Sequence, residues 1–315
     1  MRGMTLRQLR VLAAAASTRS VTGAAKALNV TPPAIIWQLK EIEQAAGVTL
    51  LERGRDGLRP TDAGREVLVA GRRVEAALGE CAESLAALRG AGGGRVSVGV
   101  VSTAKYFAPR ALGAFSRAHP GIEIRLAVRN RGDTIAALEN YEFDVAVMGR
   151  PPEQLDVERA AIGDHPHIVV APPDHPLARR RLEIRELAGE TFLLREEGSG
   201  TRLLTQRLFA NSGINPRIGM EIGSNETIKQ AVMAGLGIAL ISAHTVAAEL
   251  GDGRLVSLAV DGLPIVRQWY AVKRRDKRLL PAGQAMWDFL VTEGAGFLPR
   301  IVPAASKPRR RQRRT

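Results

Sequence analysis

The sequence predicts an α/β protein built from a small, mainly helical N-terminal unit, one long helix, and a larger region of two α/β lobes. Three observations predict it. The first sixty residues carry apolar positions at three- and four-residue spacing in short runs, the period of half-buried helices. A single run with heptad spacing follows, ended by the glycines Gly90, Gly92, Gly93 and Gly94. Beyond them, short Val- and Ile-rich runs alternate with helical patterns, which implies crossover connections and a mainly parallel sheet. A chain of 315 residues exceeds one average core, and 45% hydrophobic with 24% charged residues excludes a disordered or fibrous protein.

The helical unit is read first. Between Thr5 and Ala16, Leu6, Leu9, Leu12, Ala13 and Ala16 mark one helical face. Ser20 then stands as an N-cap before Val21, Ala24, Ala25 and Leu28, and Asn29-Val30 make a turn. Thr31 caps a third helix whose first position is Pro32, where a missing amide hydrogen costs nothing. Its buried face is expected on Ala34, Ile35, Leu39, Ile42 and Ala46, which leaves Pro33, Ile36, Trp37 and Lys40 on other sides. Two short helices joined by a tight turn, the second opening on a capped Thr-Pro, form a helix-turn-helix. The segment Leu50 to Pro60 reads as a small β-wing around the Asp56-Gly57 turn signal, and Arg53, Arg55 and Arg59 decorate it where phosphates or a minor groove would be met. Together they predict a winged helix-turn-helix that binds double-stranded operator DNA.

From Thr61 no proline interrupts the pattern until well past Gly90. Val67, Gly71, Val74, Leu78, Cys81, Leu85 and Leu88 repeat at alternating four and three residues, a helix roughly 40 Å long with one apolar stripe. A second copy of the chain is the expected partner for that stripe, with Val67, Val74, Leu78, Cys81, Leu85 and Leu88 as dimerisation residues. The alternative is that the helix lies on its own C-terminal domain.

Strands are expected at Val96–Val101, Ile122–Val128, Asp144–Met148, Ile168–Ala171, Thr191–Leu194 and Ile238–Ile241, with helices at Phe107–Ala118, Thr134–Asn140, Thr201–Ala210 and Thr227–Ala234. The expected organisation is therefore a DNA-binding domain over 1–60, a linker helix over 61–90, an effector domain over 91–306 and a basic tail over 307–315. The tail holds six basic and no acidic residues, a large share of the net charge of +13, and is as readily a solubilising end as a nucleic-acid contact.

In α/β lobes, ligands collect at strand C-termini and helix N-termini, where unpaired amides favour negative charge. Ser102 and Thr103, Gly200, Thr201 and Arg202, and Asn225 and Thr227 occupy such positions, and the forks of Arg150 and Arg202 suit phosphate or carboxylate. The expected effector is a small anion. For each of these residues the ordinary alternative is a helix cap, and for Arg150 a solvated hinge.

Catalysis is not expected. The glycine cluster lacks the spacing of a phosphate loop or a dinucleotide turn, and Ser199 is not the central residue of a nucleophile elbow. His165 and His167 have no third metal ligand at a recognisable spacing, so no metal site and no cofactor are expected. One cysteine, Cys81, excludes a disulfide framework and cysteine-rich zinc modules, and on the heptad seam it reads as a buried, inert thiol. Arg2, Arg7, Arg10 and Arg19 break up any apolar leader, and no run reaches membrane-spanning length, so a reducing cytoplasm is the expected setting.

The stretch from Leu6 to Thr61, with Ser20, Ala24-Ala25, Leu28, Thr31, Pro33-Ala34, Leu39, Ile42-Glu43, Gly47-Val48, Leu50-Leu51, Arg53 and Pro60-Thr61, closely resembles the DNA-binding domain of LysR-type transcription regulators. Val101 to Arg110, Asn130-Arg131-Gly132 and Asp144 to Pro152 are similar to the subgroup that regulates RuBisCO and Calvin-cycle operons. The resemblance implies a periplasmic-binding-protein-like effector domain and a dimer or tetramer. It also implies phosphorylated sugars or NADPH as signals, RNA polymerase as the partner at the promoter, and activation of a RuBisCO-type operon. A LysR-type regulator of another operon, and an architectural DNA-binding protein that senses nothing, are the alternatives. The chain departs from the family at Pro32, Ile36 and Trp37, where many relatives carry Gln, Ser and a basic or polar residue. Gln38 and Lys40 are then the only long hydrogen-bonding side chains near the helix start, so Ile36 against thymine methyls and the wing arginines are expected to carry more of the readout. Trp37 faces either DNA or the space between helices.

Overall fold

The computed structural model describes residues 3–88 and 94–301, and the chain divides into two compact units, Met1–Gly90 and Ala91–Thr315. The basic tail and Gly90, Gly92 and Gly93 of the glycine segment lie outside the described residues.

In the first unit α1 (Leu6–Thr18) begins at Thr5, whose hydroxyl accepts the Gln8 amide while the Gln8 side chain accepts the Thr5 amide, a reciprocal capping box. α2 (Val21–Leu28) is capped by Ser20 Oγ, which accepts from the Gly23 amide at 3.2 Å. α3 (Pro32–Ala46) starts after Thr31, which holds the extended N-cap backbone without a side-chain cap bond. β1 (Leu51–Gly54) and β2 (Gly57–Pro60) form the antiparallel wing. Gly57 sits at φ +105°, where a Cβ would run into the carbonyl oxygen of Arg19. That carbonyl also accepts the Leu58 amide at 2.9 Å, which anchors the wing to the α1–α2 corner.

The buried face of α3 is the expected one, centred on Ile35 and Ile42. The face of α1 is not. It consists of Gln8, Val11, Leu12 and Ala15, one residue step around from the predicted stripe, and Ala13 is exposed. The reason is that α1 packs against three helices, so its Leu- and Ala-rich surface is covered on several sides and spacing alone does not select one.

The linker helix α4 (Asp62–Leu88) corrects part of the predicted seam. Val67, at 8% exposure, is core of its own unit with Leu12, Ile42 and Leu50, and the bare Cα of Gly71 lies against Leu9. The Glu75 carboxylate pairs with Arg10 on α1 at 2.5 Å. From Val74 on, the stripe residues Val74, Leu78, Cys81 and Leu85 are exposed, and the side chain of Leu88 lies outside the described residues. The thiol expected to be buried is therefore open to solvent in the single chain.

The second unit runs β3 (Arg95–Val101), α5 (Ala108–Ala118), β4 (Glu123–Arg129), α6 (Arg131–Glu139), β5 (Val145–Met148), β6 (Val157–Ala171), β7 (Arg181–Leu182), β8 (Thr191–Arg195), α7 (Gly200–Ser212), β9 (Arg217–Ile222), α8 (Asn225–Met233), β10 (Ala239–Ser242), α9 (Ala247–Gly251), β11 (Val256–Ser257), β12 (Ala259–Val260), β13 (Ile265–Arg274) and α10 (Pro281–Glu293). β3 pairs in parallel with β4 and β5, and β8 with β9. Between these groups lie β6 and β13, paired antiparallel over most of their length, with the sheet ordered β10-β6-β13-β5-β3-β4. The sheet is thus mixed rather than mainly parallel: two long crossing strands tie the lobes together. Gly163 and Pro166 inside β6 read as breakers in the sequence, so only its last residues, Ile168–Ala171, were legible as strand. One core fills the first lobe around Phe115, Met148 and Trp287, and two fill the second around Phe192 and Ile228.

Candidate functional site

Two surfaces carry the candidate chemistry, one on each unit. On the first, Pro32, Pro33, Ile36, Trp37 and Lys40 are exposed along α3, with Trp37 at 58%. A buried indole at a helix crossing would be nearly dark to solvent, so Trp37 does not fill space between helices in the single chain. Gln38 is half-buried in a groove of about 940 Å³ that it shares with Arg7, Arg10 and Leu28. Thr31 is exposed beside the helix start, and Ser20 is half-buried and engaged as a cap. Arg53, Arg55 and Arg59 are exposed on the wing, where Arg59 pairs with Asp56.

On the second unit a solvent-connected cavity of about 430 Å³ opens where β3, α6 and α7 meet the crossing strands. Of the expected effector residues, Ser102, Thr103, Arg150, Gly200 and Thr201 line it. Arg202, Asn225 and Thr227 do not. Arg202 donates to the Arg195 carbonyl at 3.0 Å and pairs with Glu221, Asn225 is buried under Arg195, and the exposed Thr227 donates its amide to the Ser224 hydroxyl. All three flank helix starts, but the Arg202 guanidinium, the Asn225 Oδ1 and the Thr227 amide are already engaged in holding the wall.

The cavity also takes Ser199, from the segment before α7 expected to line it, and gains Arg131, Arg267, His165 and His167, which sequence reasoning did not place there as ligand contacts. Arg131 opens α6 directly after β4, the same kind of position as Ser102-Thr103 after β3, so a signal for it existed. Arg267 had none, because the strand that carries it was not legible. Arg131 Nε donates to the Arg150 carbonyl at 3.2 Å, and the Gly132 amide to the Gly198 carbonyl at 3.1 Å, which joins the loops ahead of α6 and α7. Ser199 at the start of α7 makes no side-chain cap bond, so the first-turn amides keep their pull on negative charge.

The electrostatics are one-sided. Burial first, then the charges of Arg150 and Arg207, hold the Arg131 guanidinium below its ordinary pKa. Arg267 is lowered by burial and by Arg207, Arg150 and Arg131. Among the described residues no carboxylate lines the cavity, and Arg150 pairs with the exposed Glu153 at 2.7 Å. Beneath lie three histidines kept neutral by burial: His165 is pushed well below its usual range, His167 to about 3 and His244 to about 4. Cations crowded in this way, with Glu153 as the one carboxylate paired to them, favour a bound negative charge. Among the described residues no group of His, Cys, Asp and Glu is placed to hold a metal ion, and no helix is long and apolar enough to cross a membrane.

Residues 6–65 match the family of bacterial regulatory helix-turn-helix proteins of the lysR type, and residues 89–295 match the LysR substrate binding domain. The chain is 58% identical over 300 residues, 94% of its length and 90% of the relative's, to the HTH-type transcriptional regulator CbbR of Xanthobacter flavus. It is 44% identical over 293 residues, 93% of its length and 97% of the relative's, to the RuBisCO operon transcriptional regulator of Allochromatium vinosum. Among solved structures, the regulatory domain of Synechocystis PCC6803 CcmR in complex with 2-PG superposes with a TM-score of 0.61 at 39% identity, covering 67% of this chain and all of that one.

Proposed function

From the premise that the chain belongs to the LysR family of bacterial transcription regulators, we propose that it binds the operator of a RuBisCO operon and adjusts that binding to a small phosphorylated anion. The observation that carries the effector half is the cavity whose walls hold Arg131, Arg150 and Arg267 and no carboxylate. Forked guanidiniums and the uncapped start of α7 suit phosphate oxygens. The enclosed part of the cavity is tight, much of its space being open to solvent, which favours a compact ester over the dinucleotide NADPH. The 2-PG complex of the CcmR regulatory domain supports the same ligand class.

The DNA half rests on α3 and the wing. Ile36 and Trp37 present apolar surface to base edges and sugars, Gln38 and Lys40 supply hydrogen bonds, and Arg53, Arg55 and Arg59 meet phosphate or minor groove. Pro32, Pro33, Thr31 and Ser20 place the helix start against the backbone. The exposed stripe Val74, Leu78, Cys81 and Leu85 seats a second copy of the chain, and the resulting dimer or tetramer acts on RNA polymerase at the promoter. Effector binding shifts the assembly only by its differential affinity for the lobe arrangements.

A mobility-shift titration on DNA upstream of the RuBisCO operon, with inorganic phosphate, phosphate esters and NADPH, tests this reading. Retention stronger than on random DNA, altered by a phosphate ester, is the expected result. Retention equal to random DNA removes the operator assignment, and specific retention indifferent to every anion removes the effector assignment.

A further inference from the structure

Arginines offer a ligand only donors, and the hydroxyls of Ser102, Thr103, Ser199 and Thr201 turn either way. One lining side chain differs in kind. His165 is 4% exposed, and neither of its ring nitrogens has a hydrogen-bond partner. Its ring is fixed on several sides. Trp269 stacks on it at 3.7 Å and 18°, the His167 ring lies 4.2 Å away, and Gly149, also a lining residue, comes so close that a Cβ there would fall 2.5 Å from Nδ1. The neighbouring rings are already engaged: His167 Nδ1 meets the His165 carbonyl oxygen at 3.1 Å, and His244 Nδ1 accepts the Trp269 indole at 3.0 Å. Of the three histidines, His165 alone lines the cavity with both ring nitrogens buried and unpartnered.

We propose that His165 is the specificity-determining residue of the cavity and that the effector it selects is a phosphate ester with a free hydroxyl close to the phosphate. The proposal rests on the anion reading above. Its physical basis is the nitrogen lone pair. Burial first, then the titratable rings of His167 on its own strand and His244 after β10 and the charge of Arg267 on β13, oppose a proton on it. A neutral imidazole has one donor and one acceptor, so an anion made only of acceptors satisfies the arginines and leaves the lone pair unmatched. A hydroxyl on the ligand donates to it while the phosphate stays with Arg131, Arg150 and Arg267. Sites built to hydrogen-bond a hydroxyl discriminate against analogues that lack it, because the buried protein group is then left alone.

The test measures binding of sn-glycerol 3-phosphate and n-propyl phosphate to the full chain by calorimetry. The two share charge and carbon skeleton and differ in two hydroxyls. The wild type is expected to favour glycerol phosphate by about tenfold. His165→Phe keeps the ring stack on Trp269 and removes both nitrogens, so the preference should collapse to within about twofold while propyl phosphate still binds. His165→Gln restores an acceptor and a donor and should recover part of the preference. Equal binding of both esters by the wild type overturns the proposal without touching the anion cavity, and so does a tenfold preference that survives in His165→Phe. If the wild type binds neither ester nor inorganic phosphate, the anion reading fails and the proposal with it. Should His165→Phe not fold, the wild-type comparison and His165→Gln still decide.

Discussion

Arg195, near the end of β8 and 2% exposed, donates from Nη2 to the hydroxyl of Ser102 at the end of β3, 3.2 Å away. Its other Nη reaches Asn225 at the start of α8, and Glu196 takes the rest of the fork at 2.7 and 2.8 Å. One guanidinium thus ties the cavity-lining turn of the first lobe to the second.

Removing that guanidinium leaves a partly buried carboxylate and a buried amide without their donor. Arg195→Met, which keeps most of the stem, should lower stability by about 2–3 kcal/mol. Urea unfolding followed by circular dichroism measures it, and a loss below about 0.5 kcal/mol would show that the tie does not hold the lobes.

The buried histidines make the effector unit acid-sensitive. With the folded pKa of His167 near 3 and of His244 near 4, against an ordinary 6.5, the unfolded chain binds more protons between those values. Stability is then full above pH 6.5 and falls as pH drops towards 4, by up to about 1.4 kcal/mol per pH unit for each such group. His244→Gln keeps an acceptor for Trp269 but does not titrate, so its stability curve between pH 6.5 and 4.5 should be shallower than the wild type's. Parallel curves would exclude a part for His244.

Val67 and Leu78 share one heptad stripe and differ in fate. Leu78→Asp, at a position 47% exposed, should leave folding intact and yield monomers in sedimentation velocity. Val67→Asp places a charge in the core of the head and should unfold it. A Leu78→Asp protein that still dimerises would move the interface elsewhere.

Arg267 is held among other arginines at the expense of stability. Arg267→Leu should weaken inorganic phosphate binding by about tenfold, the scale of one charge-assisted contact, and leave the melting temperature equal or higher. Unchanged phosphate binding together with a lower melting temperature would make the residue a wall component.

The exposed indole on α3 gives the sharpest test of the head. Trp37→Ala should reduce operator affinity by about tenfold or more with little change in stability, since little of the ring is packed. Equal loss on random DNA would assign Trp37 to the sugar-phosphate backbone, and no loss on either would remove it from the interface.

The helices of the head were legible because their signals are local: a hydroxyl at an N-cap, a proline at N1, a glycine where φ is positive. The same holds for Ser102, Thr103, Gly200 and Thr201, which sit at strand-to-helix turns that spacing locates. Arg202, Asn225 and Thr227 carry the same local signature, and only the packed structure shows that Glu221 has taken the Arg202 guanidinium and Arg195 the Asn225 Oδ1, and that Thr227 stays outside the cavity lining.

The sequence by itself determined the order of units, the helix-turn-helix and its exposed face, the long helix, and the alternation that makes two lobes, because each follows from periodicity and turn chemistry within a few neighbouring residues. The tertiary structure decided what depends on distant segments meeting. It set which part of the heptad stripe the head covers, that β6 and β13 cross between lobes despite Gly163 and Pro166, and that Arg131, Arg267 and His165 share one cavity. Arg131 and Arg267 lie on opposite sides of the whole second lobe in sequence. Their repulsion exists only once the chain has folded.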